Sequence, residues 1–243
     1  MSARGQSRSI DPALGVTGSP SITSEQIGRH VDQIQFLIVF PGVLDMNNAR
    51  RADLTYNIIV DAFDVMGLYL RDQCGLIGEI AVYGGTAMLL QFPWREMTED
   101  VDVTILTGER ESAVKDAAAF AAVRLGLLDD WLNNYVGGFT PETESEAFFS
   151  TYGVYPRGEA PGLRVFLAKP EYLCAMKLKA LERESVDDRD FEDVVNLALE
   201  IGIGTVDHLK QLFTSFFPSE TLHSSAAARL PELAEKIRLR RTR

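Results

Sequence analysis

Two aspartates separated by one valine are the residues of this chain whose type and spacing point most directly to chemistry. Asp100 and Asp102 begin a β-prone run that continues to Leu106. Because side chains alternate along a strand, both carboxylates point to one face, and Val101 and Val103 point to the other. Neighbouring carboxylates repel each other unless a cation lies between them, and Mg²⁺ is bound by one or two carboxylates plus substrate phosphates. The spacing favours a magnesium site; the alternative is two solvent-facing residues of a half-exposed strand.

A pair of glycines precedes the aspartates by one predicted helix. The run Ile80–Tyr83 predicts a strand, and Thr86–Gln91 has the composition of a helix, so Gly84 and Gly85 form the turn between them. Glycine permits a positive φ and the close approach of a ligand, and the free N–H groups of a helix start suit a phosphate. A glycine turn alone is also common in ordinary strand-to-helix connections. Its place before the aspartates favours phosphate binding.

A helix predicted to begin near Pro170 carries a lysine on its apolar side. At helical spacing Lys177 falls between Leu173 and Leu181, whereas Lys179 falls on the polar side. An inward-facing lysine is costly unless an anion meets it, which makes Lys177 a candidate for binding a phosphate. The alternative is a lysine whose stem packs while its ammonium group reaches water.

Acidic residues cluster at the start of the following helix. Asp190 borders the apolar arc of that helix, Asp193 lies one turn later, and Asp187 and Asp188 precede it. Helix capping and compensation of the helix dipole explain such residues without any function. For Asp190 a site role and this structural role both stay open, and Asp193 is a secondary candidate.

These motifs together resemble the signature of the polymerase-β-like nucleotidyltransferase superfamily. The resemblance rests on Gly84-Gly85-Thr86-Ala87, Arg95 and Asp100-Val101-Asp102, and continues through Leu173–Leu181 and Arg189–Asp193. It is greatest to small prokaryotic members, the AbiEii-like abortive-infection toxins and related toxin–antitoxin nucleotidyltransferases. It covers about residues 53–201.

The resemblance implies a role for each motif. It implies that the turn at Gly84, Gly85 and Thr86 holds the nucleotide phosphates, that Asp100 and Asp102 bind Mg²⁺, and that Lys177 and Asp190 complete the site. Arg95 is a further phosphate candidate, with a surface arginine as the alternative. The sequence departs from the pattern in one respect. Neither predicted strand, Phe148–Tyr152 or Leu163–Ala168, carries the third carboxylate that many members place there.

The fold class predicted is α/β. A small mixed β-sheet flanked by helices, as in the nucleotidyltransferase fold, is followed by a helical C-terminal part. Residues 1–45, rich in Ser, Gly and Pro, predict a mobile N-terminal segment; residues 46–168 form the nucleotidyltransferase core and residues 169–243 the helical part. A long helix is predicted from Ala52 to Tyr69, and a turn-rich connection from Trp131 to Glu146. We expect the site in the cleft between the core and the helical part.

Composition is that of a globular protein, with 46% apolar and 24% charged residues in a chain of 243. The two cysteines, Cys74 and Cys174, lack metal-ligand spacing and, with no secretory signal recognised, fit reduced thiols in the cytoplasm. The most apolar early run, Phe36–Phe40, is too short to span a membrane. A net charge of −11 opposes binding of a nucleic-acid backbone over the whole surface and allows a local basic groove.

The expected activity is Mg²⁺-dependent transfer of an NMP group from an NTP to a hydroxyl. The resemblance suggests tRNA or a protein as acceptor and a cognate antitoxin or toxin as partner, and the acidity of the chain favours the protein slightly. Phosphoryl transfer on the same scaffold stays open. The competing class is a non-catalytic nucleotide-binding or protein-interaction module with the same fold.

Overall fold

A computed structural model describes residues 53–183 and 189–242, which fall within one structural unit, Leu44–Arg243. The predicted mobile segment 1–45 and the acidic pair Asp187 and Asp188 lie outside the described residues. The division of the unit at residue 168 stays a prediction.

The fold is α/β, as predicted, and is built on a mixed β-sheet. The strands are β1 (Leu54–Thr55), β2 (Gly78–Val82), β3 (Met97–Thr98), β4 (Val101–Ile105), β5 (Leu132–Asn133), β6 (Phe149–Tyr155) and β7 (Leu163–Ala168). Five of them form one sheet in the order β5-β4-β2-β7-β6, and β1 pairs with β3 in a separate antiparallel ribbon. The central strand β2 is antiparallel to β4 and parallel to β7. The predicted aspartate strand therefore lies beside the strand that leads into the glycine turn.

Helices make up much of the rest of the described chain. They are α1 (Tyr56–Asp72), α2 (Gly84–Gln91), α3 (Glu111–Leu125), α4 (Pro170–Ala180), α5 (Arg189–Glu200), α6 (Val206–Phe216) and α7 (Ser224–Arg241). Helices α1 and α3 pack against each other, and α1 also contacts β6 and β7. The predicted helical C-terminal part is confirmed: α4 packs on α5 and α6, and α7 packs on both of those helices. Within the described residues, no helix combines the length and apolarity that crossing a membrane requires.

Helix starts follow local sequence signals. Pro170 lies in the first turn of α4, where its missing N–H costs nothing. The side chain of Thr205 accepts a hydrogen bond from the N–H of His208 and so caps α6. The start of α1 is different, because Leu54 and Thr55 form a strand and the helix begins only at Tyr56.

The connection from Trp131 to Glu146 is more regular than the sequence predicts. It contains β5, which pairs with Val101 and Asp102 of β4, and 3₁₀ turns at Tyr135–Gly138 and Glu146–Phe148. A two-residue strand has too little periodicity to be recognised in sequence, since its partner supplies the pairing.

The prediction that Lys179 faces the polar side of its helix is wrong. Its side chain is only 14% exposed; Nζ lies 2.7 Å from a carboxylate oxygen of Glu220 and sits over the ring of Phe217. Helix α4 is covered by helices on more than one side, so its two lysines are only slightly exposed and are paired with carboxylates, which the pattern of a single helix does not reveal.

Helix α1 approaches the sheet through a glycine. A Cβ on Gly67 would lie 2.5 Å from the carbonyl carbon of Tyr155 at the end of β6. No side chain fits at that separation, so glycine is required in the middle of this helix despite its low helix propensity.

Candidate functional site

Four of the eight predicted site residues, Gly84, Asp100, Asp102 and Lys177, line one cavity of about 280 Å³. The other four, Gly85, Thr86, Arg95 and Asp190, do not line it. The cavity lies where the start of α2, the strand β4, the segment after β5 and one face of α4 meet. Two groups of residues line it. The charged set, as we call it, comprises Asp100, Asp102, Lys177 and Arg183, with Gly84 beside them; the apolar set comprises Tyr135, Val136, Phe139, Leu173, Met176 and Ala180. The cavity thus offers ionic groups and apolar surface to one ligand.

The glycine turn has the geometry that the sequence predicts. Gly84 has a φ of +56°, and a Cβ there would lie 2.6 Å from Oδ2 of Asp102. Any other residue would be strained and would displace that carboxylate. The first intrahelical bond of α2 runs from the N–H of Ala87 to the carbonyl of Tyr83. The N–H groups of Gly84, Gly85 and Thr86 therefore have no partner within the helix, which is the usual arrangement at an anion-binding helix start.

Asp102 lies in β4 and Asp100 directly precedes this strand, and the two aspartates lie beside each other. Val101 and Val103 of the same strand are buried, whereas Asp100 and Asp102 are only partly buried. Burial, and next the negative charge of Asp100, raise the pKa of Asp102 to about 6, although Lys177 and Arg183 act in the opposite direction. The net effect disfavours the ionised carboxylate. A cation between the two aspartates would reverse it.

Asp100 is held by two residues whose side chains reach it from different elements. The side-chain amide of Asn133, in β5, donates to Oδ2 of Asp100 at 2.9 Å. The hydroxyl of Thr86 donates to the backbone carbonyl of Asp100 at 2.7 Å. This hydrogen bond links the glycine turn to the aspartate strand. Because Thr86 is fully buried and its hydroxyl is occupied, only its backbone N–H is left for the phosphate role predicted from the resemblance.

Lys177 lies on the cavity face of α4, as its spacing predicts. Leu173, Met176 and Ala180, on the same helical face, also line the cavity. The ammonium group donates to Oδ1 of Asp190 at 2.6 Å. It also lies 3.0 Å from Oδ2 of Asp193, at an angle unsuited to a hydrogen bond, so that contact is an ion pair only. An ammonium group has three N–H donors, which leaves capacity for a ligand.

Arg95 and Asp193 form a second layer behind the cavity. Arg95 lies 3.1 Å from Oδ1 of Asp193, and its Nη2 would be 3.2 Å from a Cβ on Gly85. Asp193 is 3% exposed and joins Arg95 to Lys177. Asp193, the secondary candidate from sequence, thus positions two cations near the glycine turn, and neither Arg95 nor Asp193 lines the cavity itself.

Two residues of the site carried no signal in the sequence. Arg183 lines the cavity, pairs with Oδ2 of Asp190 at 3.3 Å and stacks over the ring of Phe139 at 4.3 Å. Asn133 lies in the connection where asparagine is expected simply as a turn residue. Asn133 contacts Asp100, 33 residues away, and Arg183 contacts Phe139, and only the folded chain brings these residues together.

The carboxylates of the cavity fit a metal ion that is bound together with a phosphate ligand, and they do not fit a metal ion enclosed by protein ligands alone. In the described residues, no group of three or more His, Cys, Asp or Glu side chains is placed to hold a metal ion. Asp100 and Asp102 alone do not make a closed protein cage. Two hard carboxylates beside an anion-binding turn do fit Mg²⁺ brought in with a phosphate ligand, because Mg²⁺ keeps water or phosphate in its remaining positions.

Comparison of the chain with protein-family models, with curated proteins and with solved structures found no significant match. The interpretation of the site therefore rests on the residues and their geometry.

Proposed function

We propose that this protein is a Mg²⁺-dependent nucleotidyltransferase that moves an NMP group from an NTP to a hydroxyl of RNA or protein. One observation carries the proposal. A single cavity brings together the helix start at Gly84, the neighbouring carboxylates of Asp100 and Asp102, and the inward ammonium group of Lys177. Each group suits one part of a metal-bound triphosphate.

The residues divide the work by charge. The N–H group of Gly84, which lines the cavity, binds a phosphate oxygen. The same role for the N–H groups of Gly85 and Thr86 is proposed from the resemblance. Asp100 and Asp102 hold Mg²⁺, which when bound neutralises charge that develops on the transferring and leaving oxygens. Lys177 and Arg183 place positive charge beside the triphosphate, while Arg95 adds to the positive potential behind the turn.

In the transfer step the acceptor oxygen bonds to the α-phosphorus as the bond to pyrophosphate breaks, and the proton of the hydroxyl passes to a base. The family resemblance suggests Asp190 as the base that takes this proton. In the structure it contacts Lys177 and Arg183, so it also orients the two cations. The orienting role follows from those contacts, and the role on the acceptor hydroxyl stays a prediction.

The acceptor is proposed from the resemblance and from charge. The family resemblance suggests tRNA or a protein in a toxin–antitoxin or phage-defence setting, with a cognate antitoxin or toxin as partner. A net charge of −11 favours a protein acceptor slightly, because a tRNA would have to approach an acidic surface.

A second candidate is a non-catalytic nucleotide-binding module. The observation that favours it is the donor set, with two carboxylates at the cavity and a lysine that already has anionic partners. Such a module would bind Mg²⁺ and an NTP without transferring any group.

The test is incubation with each of the four α-³²P-labelled NTPs and Mg²⁺, with total tRNA or cell lysate as acceptor. Asp102→Asn removes one carboxylate of the cavity, and Asp207→Asn, at an exposed position in α6, is the matched control. We expect label on RNA or on a protein band with the unmodified protein and the control, and none with Asp102→Asn. Equal labelling by all three would refute the assignment. Absence of label, with nucleotide bound and no transfer from γ-labelled NTP, would favour the binding module.

A further inference from the structure

Tyr135 combines two properties that an ordinary surface tyrosine lacks. Its side chain lines the cavity that contains the two aspartates, and it is 70% exposed, more than any other exposed large apolar residue in the described chain. Within the described residues its ring has no aromatic contact and its hydroxyl no hydrogen bond. An aromatic face is thus available at the rim of an ionic site.

The backbone at Tyr135 is fixed to the carboxylate site by one side chain. The amide oxygen of Asn133 accepts from the N–H of Tyr135 at 2.9 Å, while the amide nitrogen donates to Oδ2 of Asp100 at 2.9 Å. One asparagine therefore holds both a proposed metal ligand and the aromatic residue. Their relative placement is set before any ligand binds.

The far end of the same segment is fixed by a partly buried carboxylate contact. Glu144 accepts hydrogen bonds from the hydroxyls of Tyr83, at 2.9 Å, and Tyr172, at 2.6 Å. Burial raises the pKa of both tyrosines well above the ordinary value, so both hydroxyls stay protonated and donate. With both ends held, the segment from Asn133 to Glu144 is anchored to β2, β4 and α4, which lowers the cost of ordering it around a ligand.

Phe139 has a different task within this segment. The guanidinium group of Arg183 covers its ring at 4.3 Å, so one face of Phe139 is occupied. Phe139 holds Arg183 beside the other members of the charged set by a cation–π contact. Tyr135 is left as the aromatic ring open to a ligand.

We propose that Tyr135 stacks on the base of the bound NTP while Lys177, Arg183 and the Mg²⁺ held by Asp100 and Asp102 bind its triphosphate; this inference rests on the proposed function. A nucleotide has one flat aromatic end and one anionic end, and the cavity offers apolar and charged groups in the same space. Every base has a π-face, so stacking tolerates all four bases. Apart from the hydroxyl of Tyr135, the apolar set has no hydrogen-bonding side chain to read a base edge. The site therefore takes NTPs as a class and discriminates little among them.

The test compares binding of the four NTPs with binding of inorganic tripolyphosphate, each with Mg²⁺, by isothermal titration calorimetry. Tyr135→Ala removes the ring at an exposed position, so folding is unaffected, and Tyr135→Phe keeps the ring. We expect Tyr135→Ala to weaken NTP binding by about 5- to 150-fold, the range for loss of one base–aromatic stack. Tripolyphosphate should bind all three proteins equally, and Tyr135→Phe should bind NTPs like the unmodified protein.

The outcomes separate this inference from the proposed function. Unchanged NTP affinity in Tyr135→Ala overturns the stacking role, and so does an equal loss of tripolyphosphate affinity. If the unmodified protein binds no NTP, both proposals fail. If it binds NTPs through Tyr135 and transfers nothing, stacking stands and nucleotidyl transfer is overturned.

Discussion

Asp102→Asn should stabilise the metal-free protein while removing its Mg²⁺ site. In the folded chain, burial and the charge of Asp100 oppose ionisation of Asp102, and within the described residues no hydrogen bond to its carboxylate oxygens compensates. Asparagine has nearly the same shape and carries no charge. The substitution therefore removes the unfavourable charge and should stabilise the protein. Most substitutions, by contrast, lower the stability of a protein.

The raised pKa of Asp102 sets both the size of the expected change in the free energy of unfolding and the direction in which it varies with pH. The pKa of Asp102 rises from 3.8 to about 6 on folding, so between these values the folded protein binds more protons than the unfolded one. The free energy of unfolding then falls as the pH rises. The penalty is at most about 3 kcal/mol at pH 8 and about 0.5 kcal/mol at pH 4. Asp102→Asn should thus gain most above pH 6 and almost nothing at pH 4.

The assay is thermal unfolding by circular dichroism from pH 4 to 8 without metal, with Asp207→Asn as the control. A gain of 1–3 kcal/mol corresponds to a rise in Tm of about 2–12 °C for a chain of this size, and we expect it at pH 8 in Asp102→Asn only. Mg²⁺ should then raise the Tm of the unmodified protein and leave that of Asp102→Asn unchanged. An Asp102→Asn protein less stable than the unmodified one at pH 8 would refute the reasoning.

Three further substitutions test other parts of the account. Gly67→Ala should destabilise the fold by about 1–3 kcal/mol in urea unfolding, because the methyl group of the new alanine would collide with the β6 backbone. Gly108→Ala is the control and should be neutral, because a Cβ there meets nothing within 4 Å. Glu144→Gln replaces the charged acceptor of two tyrosine hydroxyls and should lower the free energy of unfolding by about 1–2 kcal/mol. It should also speed limited proteolysis between residues 135 and 146, and unchanged cleavage would disprove this role of Glu144. Lys177→Met should abolish NTP binding and lower stability by leaving carboxylates without their cation. Adding Asp193→Asn should restore part of the stability but none of the binding; recovery of binding would show that Lys177 has no role in it.

The parts of the site that sequence predicts are those set by local geometry. The alternation of a strand places Asp100 and Asp102 together, and helical spacing places Lys177 on the face that lines the cavity. The turn at Gly84 requires a positive φ, a demand that shows in the residue type itself. In each case the information lies within a few neighbouring residues.

The parts that sequence misses depend on contacts between distant segments. Asn133 has meaning only because β5 pairs with β4 and brings it to Asp100. Lys179 has the spacing of a polar position, yet its side chain is only 14% exposed, and Glu220, in the connection between α6 and α7, provides its partner. Glu144 binds two tyrosines from other elements. No local pattern distinguishes these residues from surface polar residues, since their role is set by packing and not by period.

The most direct test of the central claim is equilibrium binding of each NTP with Mg²⁺ and with EDTA, measured for the unmodified protein, Asp102→Asn and Asp207→Asn. If Asp100 and Asp102 hold Mg²⁺ against the phosphates, the unmodified protein and Asp207→Asn bind NTP tightly only with Mg²⁺, and Asp102→Asn loses that dependence. Equal affinity with Mg²⁺ and EDTA in all three proteins would contradict the claim that these carboxylates form a metal-nucleotide site.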